Sequence, residues 1–399
     1  MNTPVIPVAP TAAPFPHRLD SVDLLRGLVM VAMALDHTRD YFHSSAIQGA
    51  DPLDLARTTP ALFFTRWITH FCAPVFSFLA GLGVFLAIMR GKTKRHLSWL
   101  LVTRGLWLIF LELTLLMWFG WAFEIDLHSY FLATLWSLGW SMIALAGLIH
   151  LPFWAILTFS LTMIAGHNAL DGIRPESWNS WGWLWQVLHS GGPFATKSGF
   201  KFLALYPLIP WLGVMSAGYC CGALYRLDAA VRRRWLRRAG CVLIAAFVLL
   251  RAANVYGNLT PWTRQPSPVF TFLSFLDATK YPPSLSYLLM TLGPGLLLLA
   301  HFERGTPAWM ASLLAYGRVP FFFYVAHIPL IHAAAFAMNV FRHGRGDFSL
   351  VGGNPPPDAG IGLGATCCVW IAFVVALYPA CKWFSDLKRR RRDAWLGYL

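Results

Sequence analysis

Apolar residues along the chain collect into blocks that are separated by short charged or Pro- and Gly-rich stretches. The blocks are roughly 18 to 25 residues long, the length that an α-helix needs to cross a hydrocarbon core. The pattern therefore predicts an all-α fold, a polytopic membrane bundle of about ten transmembrane helices. In chain order the predicted spans are 22–42, 64–89, 97–119, 129–149, 151–167, 202–225, 237–256, 281–301, 319–340 and 361–384.

The composition excludes an ordinary water-soluble domain. Hydrophobic residues make up 57% and charged residues 13% of the chain, whereas soluble domains carry about 25% charged residues. The basic residues behind the formal net charge of +14 lie mainly at the ends of the apolar blocks. We therefore attribute this charge to membrane topology and not to nucleic acid binding. Membrane lipids are expected partners, and nucleic acid is not.

Lys and Arg residues form three clusters that predict an orientation. Positively charged loops stay in the cytoplasm, and with ten spans all three clusters fall on one side together with both termini. We expect a disordered tail at 1–17, a transmembrane domain at 18–387 and a basic cytoplasmic tail at 388–399. The clusters are Arg90 to Arg95, Arg226 with Arg232 to Arg238, and Lys388 to Arg392.

The sequence gives no indication of a metal centre. The seven cysteines lie inside or at the edge of apolar blocks, and neither His-x-x-x-His nor Cys-x-x-Cys occurs. Phosphate-binding glycine loops and nucleophile elbows are also missing from the sequence. We expect no metal cofactor, so any chemistry must come from ionisable side chains inside the spans.

The first span carries the densest set of such side chains. Arg26 and His37 are eleven residues apart, close to three helical turns, so they share one face about 16 Å apart. Asp36 and Asp40 lie one turn apart on a neighbouring face, where either can orient the imidazole of His37 or bind a substrate amine. The alternative is a helix end that simply meets water.

Two further spans contribute candidates. Arg66 and His70 lie one turn apart in the second span, and His327 lies on a polar face of the ninth. An arginine whose guanidinium reaches out to the interface is the alternative for Arg66. A buried histidine with an acidic neighbour suits general-base catalysis on an amine or hydroxyl. It can equally accept an acyl group as a nucleophile, and the sequence leaves both roles open.

Five short segments carry a familiar pattern. They are RLDSVDLLRG (18–27) followed by Asp36-His37, RWITHFCAPVF (66–76), YPLIPW (206–211), KYPPS (280–284) and YGRVP (316–320) followed by His327. Together they span most of the chain and resemble the bacterial relatives of heparan-α-glucosaminide N-acetyltransferase. The Arg26-Gly27 pair followed by His37 is also similar to the wider transmembrane acyltransferase superfamily.

The resemblance implies that the domain at 18–387 moves acetyl from cytoplasmic acetyl-CoA to an amino sugar or another glycan or amine acceptor at the outer face. The membrane is then the inner membrane of a bacterium. In the lysosomal enzyme the catalytic histidine aligns nearer His43, so His43 competes with His37 for the role of base, and we choose His37. The predicted site comprises catalytic His37, Asp36 and His70, substrate-binding Asp40, Arg66, His43 and His327, and Arg26, Arg104 and Arg318 on the donor phosphates.

A transporter or lipid flippase is the rival interpretation, because buried charges can also line a transport path. This alternative predicts no binding of acetyl-CoA. The oligomeric state is open, and a homodimer is one option.

Overall fold

The computed structural model describes residues 19–346, 355–391 and 393–398. The tail predicted at 1–17 lies outside the described residues. The α-helices of the described part are α1 (Asp20–Phe42), α2 (Ser44–Ile47), α3 (Pro60–Thr69), α4 (Cys72–Met89), α5 (Lys94–Leu111), α6 (Thr134–Leu148), α7 (Phe153–Gly166), α8 (Gly182–Trp185), α9 (Leu208–Cys221), α10 (Ala229–Ala253), α11 (Pro268–Leu276), α12 (Leu285–Phe302), α13 (Leu313–Arg318), α14 (Pro320–His343) and α15 (Leu363–Arg390).

The chain is mostly helical, at 73%. Within the described residues, seven helical segments are long and apolar enough to cross a membrane. They are α3 with α4, α5 with the π-helix Glu112–Ala122 that continues it, α7 with the 3-10 turn His167–Leu170, α9 with the 3-10 turn Gly222–Arg226, α12, α14 and α15. The prediction of a helical integral membrane protein is thereby confirmed. Helices α1 and α10 are also long, but they carry more charged residues than these seven segments.

Glycines set the closest helix crossings. Helices α4 and α9 meet where a methyl group at Gly81 would overlap the carbonyl oxygen of Met215, and one at Gly218 would overlap that of Phe78. Helices α1 and α13 cross in the same way at Gly27 and Gly317. Small residues let two backbones approach closely, which is how helices gain van der Waals contact in a bilayer. The crossing at Gly27 holds α1 close against α13.

A small sheet interrupts the helical pattern. Its strands β1 (Ser129–Leu132), β2 (Gly192–Ala195) and β3 (Lys201–Ala204) lie in the order β1-β3-β2. Strand β1 runs parallel to β3, with Ser129 opposite Lys201, and β2 runs antiparallel to it. The all-α prediction was wrong here, because the spans predicted at 129–149 and 202–225 begin as strands. Short apolar runs rich in aromatic residues fit a strand as well as a helix, and periodicity alone does not separate the two.

Candidate active site

A cavity of about 280 Å³ lies where α1 meets the sheet and the segment that precedes α12. We call it the ionic cavity. Its α1 side consists of Val29, Met30, Met33, Asp36, His37 and Asp40, a stripe at helical spacing. Its other polar and aromatic lining residues are Arg66, Thr69, Cys72, Trp121, Thr134, Tyr206, Lys280, Tyr281 and Tyr324. Along α1 the stripe is therefore apolar from Val29 to Met33 and polar from Asp36 to Asp40.

Asp36 is the centre of the polar part. Nη1 of Arg66 donates to both of its carboxylate oxygens, at 2.8 Å and 2.7 Å. The Thr69 hydroxyl donates to Oδ1 at 2.8 Å, and Nη2 of Arg39 donates to the same oxygen. The Lys280 ammonium lies 3.9 Å from Oδ2. This arrangement compensates a carboxylate that is almost completely removed from solvent, as burial of a charge requires.

A second carboxylate extends the network. Nη2 of Arg39 donates to Asp40 at 2.7 Å, and the Arg39 side chain is only 1% exposed. The network thus holds the three cations Arg39, Arg66 and Lys280 against the two carboxylates of Asp36 and Asp40. If all five groups are ionised, the network around the ionic cavity carries a surplus of positive charge.

His37 is the imidazole of the ionic cavity. Its ring lies 5.2 Å from the rings of both Trp121 and His327, measured between centroids. Its Nδ1 atom is buried without a hydrogen-bond partner, which leaves Nε2 as the nitrogen that can meet a substrate. No described carboxylate bonds to this imidazole, because the oxygens of Asp36 and Asp40 accept hydrogen bonds from Arg39 and Arg66. The orienting role predicted for these aspartates is therefore not visible in their hydrogen bonds.

Trp121 is fixed against His37 by a buried carboxylate. Its Nε1 donates to Glu112 Oε1 at 3.2 Å, and the other oxygen of Glu112 accepts from the Leu135 backbone N–H at 2.7 Å. Glu112 opens the π-helical turn that ends at Ala122, and such turns occur often at functional sites. The turn thereby links the start of α6 to the wall of the ionic cavity.

The other predicted histidines lie outside the lining of the ionic cavity as described. His327 is completely buried, and its Nδ1 lies 2.8 Å from the Phe323 carbonyl oxygen. His70 is 1% exposed, and neither ring nitrogen has a hydrogen-bond partner. His43 Nδ1 lies 2.8 Å from the Ser45 hydroxyl, where α1 ends. The structure thus brings His327 against His37, whereas His43 lies beyond the end of the stripe on α1.

The predicted donor arginines lie in two places. Arg26 contacts Asp23 at 3.3 Å, and Arg318 contacts Asp20 at 3.2 Å and Asp23 at 4.0 Å. These two arginines therefore meet where the start of α1 crosses α13. Arg104 lies on α5, next to Thr103, whose hydroxyl is 2.9 Å from that of Tyr398.

Sequence reasoning missed several lining residues of the ionic cavity. Lys280, Tyr281 and Tyr206 belong to the KYPPS and YPLIPW segments that carried the resemblance, yet no role was predicted for them. Arg39, which belongs to the ionic network but not to the described lining, also had no predicted role. The segments that carried the resemblance were the available signal.

The fold and this site define a polytopic membrane protein with an ionic cavity beside α1. The family described as heparan-alpha-glucosaminide N-acetyltransferase, catalytic, matches residues 18–258. This match covers more than half of the sequence, and the chain belongs to that family, a family of membrane acetyltransferases. No curated protein matches the sequence significantly. Lys280, Tyr281 and Tyr324 lie beyond the matched range and complete the wall of the ionic cavity.

Proposed function

We propose that the protein transfers acetyl from cytoplasmic acetyl-CoA to the amine of an amino sugar, or to another glycan or amine acceptor, at the outer face of the membrane. The observation that carries this proposal is the placement of His37 in the ionic cavity, in a chain that belongs to an acetyltransferase family. An imidazole that is neutral near physiological pH can take a proton from an attacking amine.

His37 is the general base of this proposal. The acceptor nitrogen attacks the thioester carbonyl carbon, His37 takes the proton from that nitrogen, and the same proton then goes to the CoA sulfur as the C–S bond breaks. Nε2 is the atom assigned to this exchange, because Nδ1 is buried. Asp36, Asp40 and Arg66 shape the acceptor end, with His327 and His70 behind them. His43 lies further along α1 and is the competing base.

The donor is proposed to enter from the opposite end of α1. Arg26 and Arg318 meet there, about 16 Å below His37 by the rise of the helix. Guanidinium groups are good partners for phosphates, and Arg104 is a third candidate. The apolar stripe from Val29 to Met33 lines the ionic cavity between these two ends. This stripe suits the uncharged arm of CoA, which must reach from its phosphates to the thioester.

The proposed topology has ten spans with both termini in the cytoplasm. It adds α1, α6 and α10 to the seven helical segments identified by length and composition. The basic clusters then lie together on the cytoplasmic side. The catalytic unit is proposed to be 18–387, between the tail at 1–17 and the basic tail at 388–399. A bacterial inner membrane is the proposed location.

Binding of acetyl-CoA tests the donor assignment. A ligand that binds only the folded state at about 100 times its Kd adds about 2.7 kcal/mol of stability. We therefore expect acetyl-CoA to raise the melting temperature of the purified protein in detergent. The double variant Arg26→Met/Arg318→Met should lose most of this shift, whereas Lys201→Met, at an exposed position at the start of β3, should keep it. A wild-type protein that acetyl-CoA does not stabilise contradicts the proposal and favours a transporter or flippase.

A further inference from the structure

Lys280 is the one lysine in the described lining of the ionic cavity. It precedes α12 in the KYPPS segment, and its relative exposure is only 8%. Its ammonium lies 5.1 Å from the centroid of the Tyr281 ring and 3.9 Å from Asp36 Oδ2. Among the described residues, no hydrogen bond from this ammonium is formed. Its donors therefore border the ionic cavity without a protein acceptor.

The carboxylate of Asp36 does not satisfy the hydrogen-bond donors of the Lys280 ammonium. Arg66 already binds both oxygens of Asp36, and Thr69 and Arg39 donate to Oδ1 as well. A further cation at 3.9 Å adds attraction without satisfying its own N–H groups. An unpaired buried donor costs free energy that a bound ligand can recover. Lys280 is thus the cavity-lining cation of the network that makes no hydrogen bond to a described protein group, whereas Arg66 is bonded to Asp36.

We propose that the Lys280 ammonium donates a hydrogen bond to the thioester carbonyl oxygen of the acyl donor. This inference rests on the proposed function. As the acceptor nitrogen forms its bond to the carbonyl carbon, the electron pair of the C=O bond moves to the oxygen, where Lys280 stabilises the negative charge. His37 removes the proton from nitrogen. The C=O bond then reforms, the C–S bond breaks, and the thiolate leaves with the proton from His37. The products are the N-acetylated acceptor and CoA.

The other cations are less suited to this role. Nη1 of Arg66 donates to both oxygens of Asp36, and Arg39 does not line the ionic cavity. Preorganised donors aimed at a developing oxyanion in a water-poor site are among the largest contributions to catalysis. A lysine that is held by the Tyr281 ring and Asp36 is preorganised in this sense. Lys280 is therefore assigned as a catalytic residue.

Isotope-edited infrared spectroscopy tests the assignment without an acceptor. Acetyl-CoA labelled with carbon-13 at the thioester carbonyl is bound to the purified protein, and the carbonyl stretch is read from the difference against unlabelled donor. A hydrogen bond from Lys280 lowers this frequency. We expect a higher frequency in Lys280→Met and Lys280→Gln and the wild-type frequency in Lys201→Met, which removes an exposed lysine. Turnover with glucosamine as acceptor should fall about 100-fold in Lys280→Met.

Each outcome decides the question. An unchanged carbonyl frequency in a folded Lys280→Met or Lys280→Gln protein overturns the inference. So does a Lys280 variant that keeps the wild-type kcat and changes only KM, and only for anionic acceptors. If neither variant melts cooperatively, Lys280 is a structural partner of Asp36, and the inference is also wrong. A wild-type protein that binds no acetyl-CoA is a different failure, that of the proposed function.

Discussion

Asp36 decides the arrangement of the polar residues in the ionic cavity. The sequence placed it beside His37 and predicted an orienting role, but its oxygens bind Arg66, Arg39 and Thr69. Arg66 is 30 residues away along the chain, and no local pattern joins the two. In a helix, the side chains of two consecutive residues point to different faces. An acidic residue directly before a histidine therefore need not form a hydrogen bond with it.

Arg66→Met tests the importance of this network. The substitution leaves Asp36 with one fewer partner in a site shielded from water, and breaking a buried pair costs about 3 to 5 kcal/mol. We expect a clearly lower melting temperature and partial recovery in Arg66→Met/Asp36→Asn. Arg57→Met removes an exposed ion pair with Asp54, and its effect should stay within about 0.5 kcal/mol. Equal melting of Arg66→Met and Arg57→Met would argue against a buried network.

The sequence identified some lining residues of the ionic cavity and missed others for a physical reason. His37, Asp40 and Arg66 lie inside apolar blocks, where an ionisable group is conspicuous. Lys280 is the last residue of the polar segment between the apolar blocks 237–256 and 281–301, where a lysine is ordinary. Its position beside Asp36 arises only when the segment before α12 folds against α1 and α3.

At the level of elements, the apolar blocks predicted most helices close to where they lie. The exceptions are instructive. Strands β1 and β3 are separated by about 70 residues and pair in parallel, a contact that hydropathy along the chain does not reveal. The break between α3 and α4 falls at His70 and Phe71, before Pro74. The pattern of apolar residues continues through this break, so a single span was predicted.

Gly81→Ala tests the helix crossing that supports α4. A methyl group there would overlap the Met215 carbonyl on α9, while Gly83 on the same helix has open space around it. Overpacking typically costs about 1 to 3 kcal/mol. We expect Gly81→Ala to lower the melting temperature and Gly83→Ala to leave it unchanged or slightly raised, because alanine favours helix. Similar effects of both substitutions would show that the crossing is looser than described.

For the whole molecule, the proposed topology places the start of α1 on the cytoplasmic side of the membrane and its end on the outer side. In a background without native cysteines, Ser180→Cys and Arg234→Cys place exposed thiols in the segment between α7 and α8 and in α10. In intact cells, a membrane-impermeant thiol reagent should label the first position and spare the second. Labelling at position 234 with protection at 180 would reverse the orientation, and with it the proposed direction of transfer.

Helix α1 carries both the proposed phosphate-binding residue and the proposed base. Arg26 lies near the start of α1 and His37 near its end, and Gly27 packs α1 tightly against α13. A rigid central helix fixes the spacing between the phosphate end and the thioester end of the donor. This spacing follows from the sequence alone, whereas the walls that enclose it come from distant segments.

The most direct test of the account is acetyl transfer from acetyl-CoA to glucosamine by purified His37→Ala, measured beside wild type and His43→Ala. The melting shift with acetyl-CoA is recorded for each protein as a control for folding and donor binding. General-base catalysis contributes about 10²- to 10⁴-fold. We predict a loss of that size in His37→Ala with the melting shift retained, and a milder effect in His43→Ala. Near-full transfer by His37→Ala together with an inactive His43→Ala would contradict the account.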